Sequence, residues 1–170
     1  YSSFCYEQDR PEPDEERVGS ALMHMSLDCD LIIGVGSGVI NDIGKILANI
    51  SNNPYIVVAT APSMDGYASA TSSMELDHVK ISLNNQCPQG ILLDADIMAQ
   101  APMRMLWAGY GDMVAKYVAI CEWRITNLIT GEYYCEEVAT LIRSALKSCI
   151  DQAEGLMQRD PAAVSAVFEG

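Results

Sequence analysis

Basic residues are scarce in this chain: ten Lys and Arg stand against 23 Asp and Glu, a formal net charge of −13. A nucleic-acid surface is excluded, because phosphate neutralisation needs clustered Lys and Arg. An anionic membrane surface is disfavoured as a partner for the same reason. Histidine is scarcer still, with only His24 and His78, and neither has a ligand-spaced partner. The six cysteines, Cys5, Cys29, Cys87, Cys121, Cys135 and Cys149, form no C-x-x-C pair and lack the density of a secreted disulfide scaffold. They read as reduced, mostly buried thiols of a cytoplasmic protein. Apolar runs are only a few residues long, so neither a signal peptide nor a membrane span is expected.

What is present is a globular composition, 49% hydrophobic in 170 residues. That length suffices for one domain, or for one domain and part of another. After Pro11 and Pro13, the residues Val18, Leu22 and Met25 fall at helical spacing, with Asp14, Glu15 and Glu16 in the first turn. Leu31-Ile32-Ile33 reads as a buried parallel strand ending at Gly34. A glycine-rich segment then leads to a helix with Ile40, Ile43, Leu47 and Ile50 as its apolar stripe. Asn52-Asn53-Pro54 breaks that helix, and Tyr55 to Ala59 is a second apolar strand. The order predicts a βαβ unit preceded by a helix.

Beyond Thr60 the chain turns to Ser, Ala and Gly. It then shows an alternating strand over Val79 to Leu83 and a short one at Ile91 to Leu93. From Ile97 only helical patterns remain, around 112–128 and 132–158. The expected organisation is a Rossmann-like α/β cofactor-binding domain over 1–97, followed by part of an all-helical domain over 98–170.

Three constellations carry chemistry. Gly34-Val35-Gly36-Ser37-Gly38-Val39-Ile40-Asn41-Asp42 lies at a strand-to-helix turn. Glycines there let the backbone approach a pyrophosphate, while the helix start offers N–H groups and a positive dipole end. The spacing departs from G-x-G-x-x-G and has no P-loop lysine, so a tight turn without a ligand is the competing reading. Thr60-Ala61-Pro62-Ser63-Met64-Asp65-Gly66-Tyr67-Ala68-Ser69 directly follows the second strand. Ligands of open α/β sheets sit at such carboxyl ends, although Ser, Asp and Gly are also ordinary loop residues. Asp112, in Gly109-Tyr110-Gly111-Asp112, reads locally as the N-cap of a long helix. Its sharper role is a carboxylate ligand for a divalent cation.

Taken together, GVGSGVINDIGK, TAPSMDGYASA, a strand ending in Asp94, and AGYGDMVAKY resemble the iron-containing alcohol dehydrogenase superfamily. Within it, TAPSMDGYAS and GEYYCEEVA, at Gly131 to Ala139, are similar to the glycerol-1-phosphate dehydrogenases, bacterial branch included. The resemblance covers about Asp30 to Ile150. It implies NAD or NADP as cofactor, bound by Gly36, Ser37, Gly38, Val39, Ile40, Thr60, Ala61, Pro62, Ser63 and Ser69. It further implies that Asp65 binds substrate and that Asp112 both ligates a Zn or Ni ion and touches the substrate. The implied reaction is hydride transfer between dihydroxyacetone phosphate and sn-glycerol 1-phosphate, with the metal as Lewis acid.

Family members place two further His ligands later in the chain, and neither His24 nor His78 matches those positions. The expectation is therefore a chain that begins part-way into the first domain and stops before those ligands, inactive alone and prone to homo-oligomerise through exposed helical faces. Lys45 and Lys116 are candidate neighbours of the cofactor or substrate, although as exposed helix lysines both are also ordinary. A polyol dehydrogenase of the same superfamily and a non-catalytic nucleotide-binding module are the alternative functions.

Overall fold

The computed structural model describes residues 1–7, 11–26 and 28–169. The chain divides into two compact units, one formed by 1–60 and 66–93 and the other by 61–65 and 94–170.

The first unit starts with helix α1, Glu15–His24, whose first turn is closed by the Asp14 side chain accepting from the Arg17 amide at 2.8 Å. Asp14 is therefore the cap rather than a first-turn residue. Strand β1, Ile32–Gly36, runs through the glycines instead of ending at Gly34. Helix α2, Gly38–Ser51, follows, and Asn52 ends it in a left-handed conformation with φ 57. Strand β2, Tyr55–Ala59, pairs in parallel with β1, from Ile32 opposite Tyr55 to Gly36 opposite Ala59. The other edge of β2 takes β5, Gly90–Leu93, also parallel, giving the order β1-β2-β5.

Ala21 of α1 and Ile43 and Leu47 of α2 form a core that Val18, Leu22 and Ile32 join. The expected stripe of α2 holds except at Ile50, which is 58% exposed in the last turn. β1 is not buried on both faces as a parallel strand usually is. The side chains of Ile33 and Val35 alternate away from the buried positions Gly34 and Gly36, and both are exposed.

An antiparallel hairpin of β3, Thr71–Leu76, and β4, Val79–Asn84, completes this unit. β3 escapes the sequence reading because Ser72, Ser73 and Glu75 interrupt any apolar run. Asp77 and His78 make the turn, both at positive φ (50 and 64), as a two-residue hairpin loop of the primed type requires.

The second unit is helical. Asp94 caps α3, Ala95–Ala99, by accepting from the amides of Asp96 and Ile97. Helix α4, Met103–Thr130, spans 28 residues, and α5, Glu136–Asp151, packs beside it. Gln152 interrupts the single helix expected over 132–158, and α6, Ala153–Met157, and α7, Pro161–Glu169, follow. Leu106, Met113, Leu146, Cys149 and Val164 are fully buried in this unit. Cys149 is the buried thiol of the six. Cys5, Cys87 and Cys121 are exposed, and Cys29 and Cys135 lie between. The expectation of mostly buried cysteines fails because those five occupy termini, loops and the outer face of α4 rather than apolar helix seams.

A Rossmann-like parallel sheet followed by helices is thus the architecture, as the sequence implies. Among the described residues, no helix is long and apolar enough to cross a membrane.

Candidate functional site

In the first unit, the candidate cofactor residues cluster at the carboxyl end of β1. Gly36 closes the strand, and an ideal Cβ there would stand 2.5 Å from Cγ1 of Ile40, so no larger residue fits without moving the first turn of α2. Ser37 is the N-cap of α2, in extended conformation and with no side-chain cap hydrogen bond. Gly38, Val39 and Ile40 form the first turn, where amides have no partner in the helix's own ladder. These amides and the positive end of a 14-residue helix suit a pyrophosphate. Thr60 is tied to the same turn, its amide donating to the Gly36 carbonyl at 3.1 Å.

Ser69 belongs to a loop braced from beneath by α2. Its hydroxyl accepts from the Thr71 amide at 3.1 Å and shares a 2.8 Å hydrogen bond with the Thr71 hydroxyl. Lys45 is buried, not exposed, with 1% of its side chain accessible. Its ammonium donates to the Thr71 carbonyl at 2.5 Å and pairs with Asp42 at 3.0 Å. Asn41, wholly buried, donates to the carbonyls of Gly66 and Tyr67, each at 3.4 Å. Ser72 donates to the Asp42 carbonyl at 3.0 Å. The inward face of α2 is thus polar along one edge. The sequence signal was available, since Asn41 and Lys45 stand at i and i+4 between apolar residues.

Burial raises the Asp42 carboxyl above its ordinary value, with the Lys45 hydrogen bond opposing. Burial likewise drives the Tyr55 phenol far above its usual range, helped by the negative charge of Asp42.

The second unit holds Ala61, Pro62, Ser63 and Asp65 together with Asp112. Asp112 is not a helix cap. It is the tenth residue of α4, exposed, with helix on both sides. The Gly-Tyr-Gly run that suggested a helix start has another cause at Gly109. The Pro62 carbonyl oxygen lies 1.8 Å from where a Cβ on Gly109 would be. The loop therefore rests directly on the helix backbone, and Ala61 and Pro62 are buried there.

Lys116, one turn beyond Asp112, is half-buried and forms an ion pair with Asp65, with 26% and 40% of the two side chains accessible. Partial burial lowers the pKa of its ammonium. The sequence marks Lys116 as a candidate neighbour of cofactor or substrate, but a single helix lysine carries no pattern that points to Asp65, fifty-one residues earlier.

Neither histidine approaches ligand chemistry. His24 bonds the Ser20 carbonyl at 2.8 Å and stacks on Phe4, while His78 pairs with Glu75 at 3.1 Å. Among the described residues, no group of three His, Cys, Asp or Glu could hold a metal ion.

The family model described as iron-containing alcohol dehydrogenase matches residues 4–102, more than half of the chain, and the chain belongs to that family. Its curated relatives include the glycerol-1-phosphate dehydrogenase [NAD(P)+] of Bacillus licheniformis, 36% identical over 143 residues, which are 84% of this chain and 36% of the relative. That of Methanosphaerula palustris is 39% identical over 160 residues, 94% of this chain and 41% of the relative. The chain thus spans about two fifths of the length of these relatives. Among solved structures, glycerol dehydrogenase from Schizosaccharomyces pombe shares the fold with a TM-score of 0.79 at 23% identity, over 93% of this chain and 43% of that one.

Proposed function

We propose that the protein is an NAD(P)-dependent, metal-dependent dehydrogenase interconverting dihydroxyacetone phosphate and sn-glycerol 1-phosphate. The observation that carries this reading is the seating of the Ala61–Asp65 loop on α4, with Pro62 against Gly109 and Asp65 paired to Lys116. A loop that follows a parallel strand is where an α/β protein binds its ligand, and here it meets the helix that bears Asp112. The two curated relatives described above, each named glycerol-1-phosphate dehydrogenase [NAD(P)+], support the dehydrogenase reading.

In this reading Gly36, Ser37, Gly38, Val39, Ile40, Thr60 and Ser69 of the first unit bind the cofactor, the amides of Gly38 to Ile40 receiving its pyrophosphate, and the family resemblance assigns Ala61, Pro62 and Ser63 a cofactor-binding role as well. The bound nicotinamide supplies or accepts the hydride. Asp65 accepts a hydrogen bond from a substrate hydroxyl and so fixes the angle at which the reacting carbon is presented. Asp112 offers a carboxylate oxygen to a divalent ion, Zn or Ni, and touches the substrate. A catalytic metal needs about three protein ligands, and Asp112 is the one that these residues offer. A cytoplasmic location and homo-oligomeric assembly belong to the same proposal.

The test is NADH or NADPH oxidation by the complete protein with dihydroxyacetone phosphate, compared with Asp65→Asn. Turnover of the ketone phosphate, with its KM raised in the variant, is expected. Turnover of glycerol or another polyol in its place would identify a polyol dehydrogenase. Cofactor binding with no turnover of any of these would identify a nucleotide-binding module.

A further inference from the structure

We infer that Lys116 is the residue that recognises the anionic group of the substrate, and so selects a phosphorylated ketone over its neutral counterpart. This deepens the dehydrogenase reading and rests on it for the identity of the ketone.

The inference begins with charge. Asp65 and Asp112 bring two negative charges to one small region of the second unit, in a chain whose net charge is already −13. A substrate carrying a phosphate adds up to two more, and such a group is repelled unless cations offset the carboxylates. The two carboxylates offer such a group no attraction of their own. A further positive charge is needed.

That unit holds six cations, Arg104, Lys116, Arg124, Arg143, Lys147 and Arg159. Arg143 is engaged by Glu136 at 2.6 Å and by the Tyr134 hydroxyl at 3.3 Å. Arg159 spends one guanidinium nitrogen on the carbonyls of Ala99 and Ala101, both at 2.6 Å. Helix α4 carries Arg104, Lys116 and Arg124, and of these Lys116 stands at i+4 from Asp112, hence on the same face, and lies against Asp65.

The third step is donor capacity. An ammonium has three N–H donors, and one carboxylate does not exhaust them. Lysine acts as a compact point charge toward phosphate. A quarter of the Lys116 side chain remains accessible, and so does two fifths of that of Asp65. A ligand hydrogen-bonded to Asp65 therefore lies within reach of the same ammonium. Asp65 would take the hydroxyl end of a three-carbon substrate and Lys116 its anionic end, a division that fixes the direction in which the substrate lies.

The experiment compares wild type, Lys116→Met and Lys116→Arg in the complete protein. KM and kcat are measured for dihydroxyacetone phosphate and for dihydroxyacetone, and binding of inorganic phosphate is followed by calorimetric titration. Lys116→Met is expected to raise KM for the phosphorylated ketone roughly 10- to 100-fold more than KM for the neutral one, the range of a lost charge-assisted hydrogen bond. Lys116→Arg, which keeps the charge, recovers part of that selectivity, and phosphate binding is lost in the methionine variant alone. Equal rises in both KM values would overturn the inference, since Lys116 would then act only by orienting Asp65. Phosphate binding unchanged in Lys116→Met would overturn it too. A wild type that prefers the neutral ketone removes the proposed substrate, whereas the phosphate titration still decides whether Lys116 is an anion site. Circular dichroism of each variant separates these results from misfolding.

Discussion

The carbonyl oxygen of Pro62 stands 1.8 Å from the place a Cβ would take on Gly109. A loop and a helix are thereby in backbone contact, which is possible only where one partner has no side chain. Gly111, two residues on, has nothing within 4 Å of its ideal Cβ. The two glycines of one short motif therefore make opposite predictions. Gly109→Ala should cost about 2–3 kcal/mol by forcing the loop off the helix, as overpacking does elsewhere. Gly111→Ala should gain about 0.5–1 kcal/mol, the usual preference for alanine inside a helix. Thermal or denaturant melting of both variants decides the matter, and equal effects would deny the close approach.

Lys45 supports a second prediction. Its ammonium is buried against Asp42 and the Thr71 carbonyl. Lys45→Met leaves a largely buried carboxylate without its cation, a change that costs about 3–5 kcal/mol when one partner of a buried pair is lost. The double variant Lys45→Met with Asp42→Asn should recover part of that loss. A single variant as stable as wild type, measured by urea unfolding, would show that the pair contributes nothing.

Alkaline stability offers a third. Burial raises Tyr55, and to a lesser degree Tyr6, above the ordinary 10.0, and raises Cys149 above 9.0. In the unfolded chain these groups lose protons near their ordinary values, while the folded protein still holds them. The folded state thus binds more protons in that window, so stability is complete below it and falls as pH rises through it. Lys116, with its pKa lowered, works in the opposite direction as a single, partly exposed group. Melting temperatures should decline beginning near pH 9, and Tyr55→Phe should flatten the decline. A Tyr55→Phe profile parallel to wild type would exclude burial of this phenol as a cause.

Legibility of the sequence varied with how locally each feature is determined. β2 was readable because Tyr55 to Ala59 is an unbroken apolar run between Pro54 and a polar loop. β3 was not, because its serines take their strand geometry from pairing with β4 rather than from any alternation of their own. Asp112 was misread as a possible cap since Gly-Tyr-Gly looks like a helix boundary until Pro62 is seen on Gly109. Lys45 and Lys116 carry the same side chain, yet one anchors a loop from within and the other pairs with Asp65. Only tertiary neighbours separate those roles. The family itself was legible because several short motifs agreed in order and spacing over most of the chain.

The most direct test of the central claim is the rate of NADH oxidation by the complete protein with dihydroxyacetone phosphate, before and after chelation and in Asp112→Ala. Chelation is expected to abolish turnover, and added Zn or Ni to restore it. Asp112→Ala should lower this turnover at least about 100-fold, as loss of a ligand to a Lewis-acid metal would. Turnover that is indifferent to chelator and retained in Asp112→Ala would contradict the proposed role of Asp112 and the metal-dependent reaction with it.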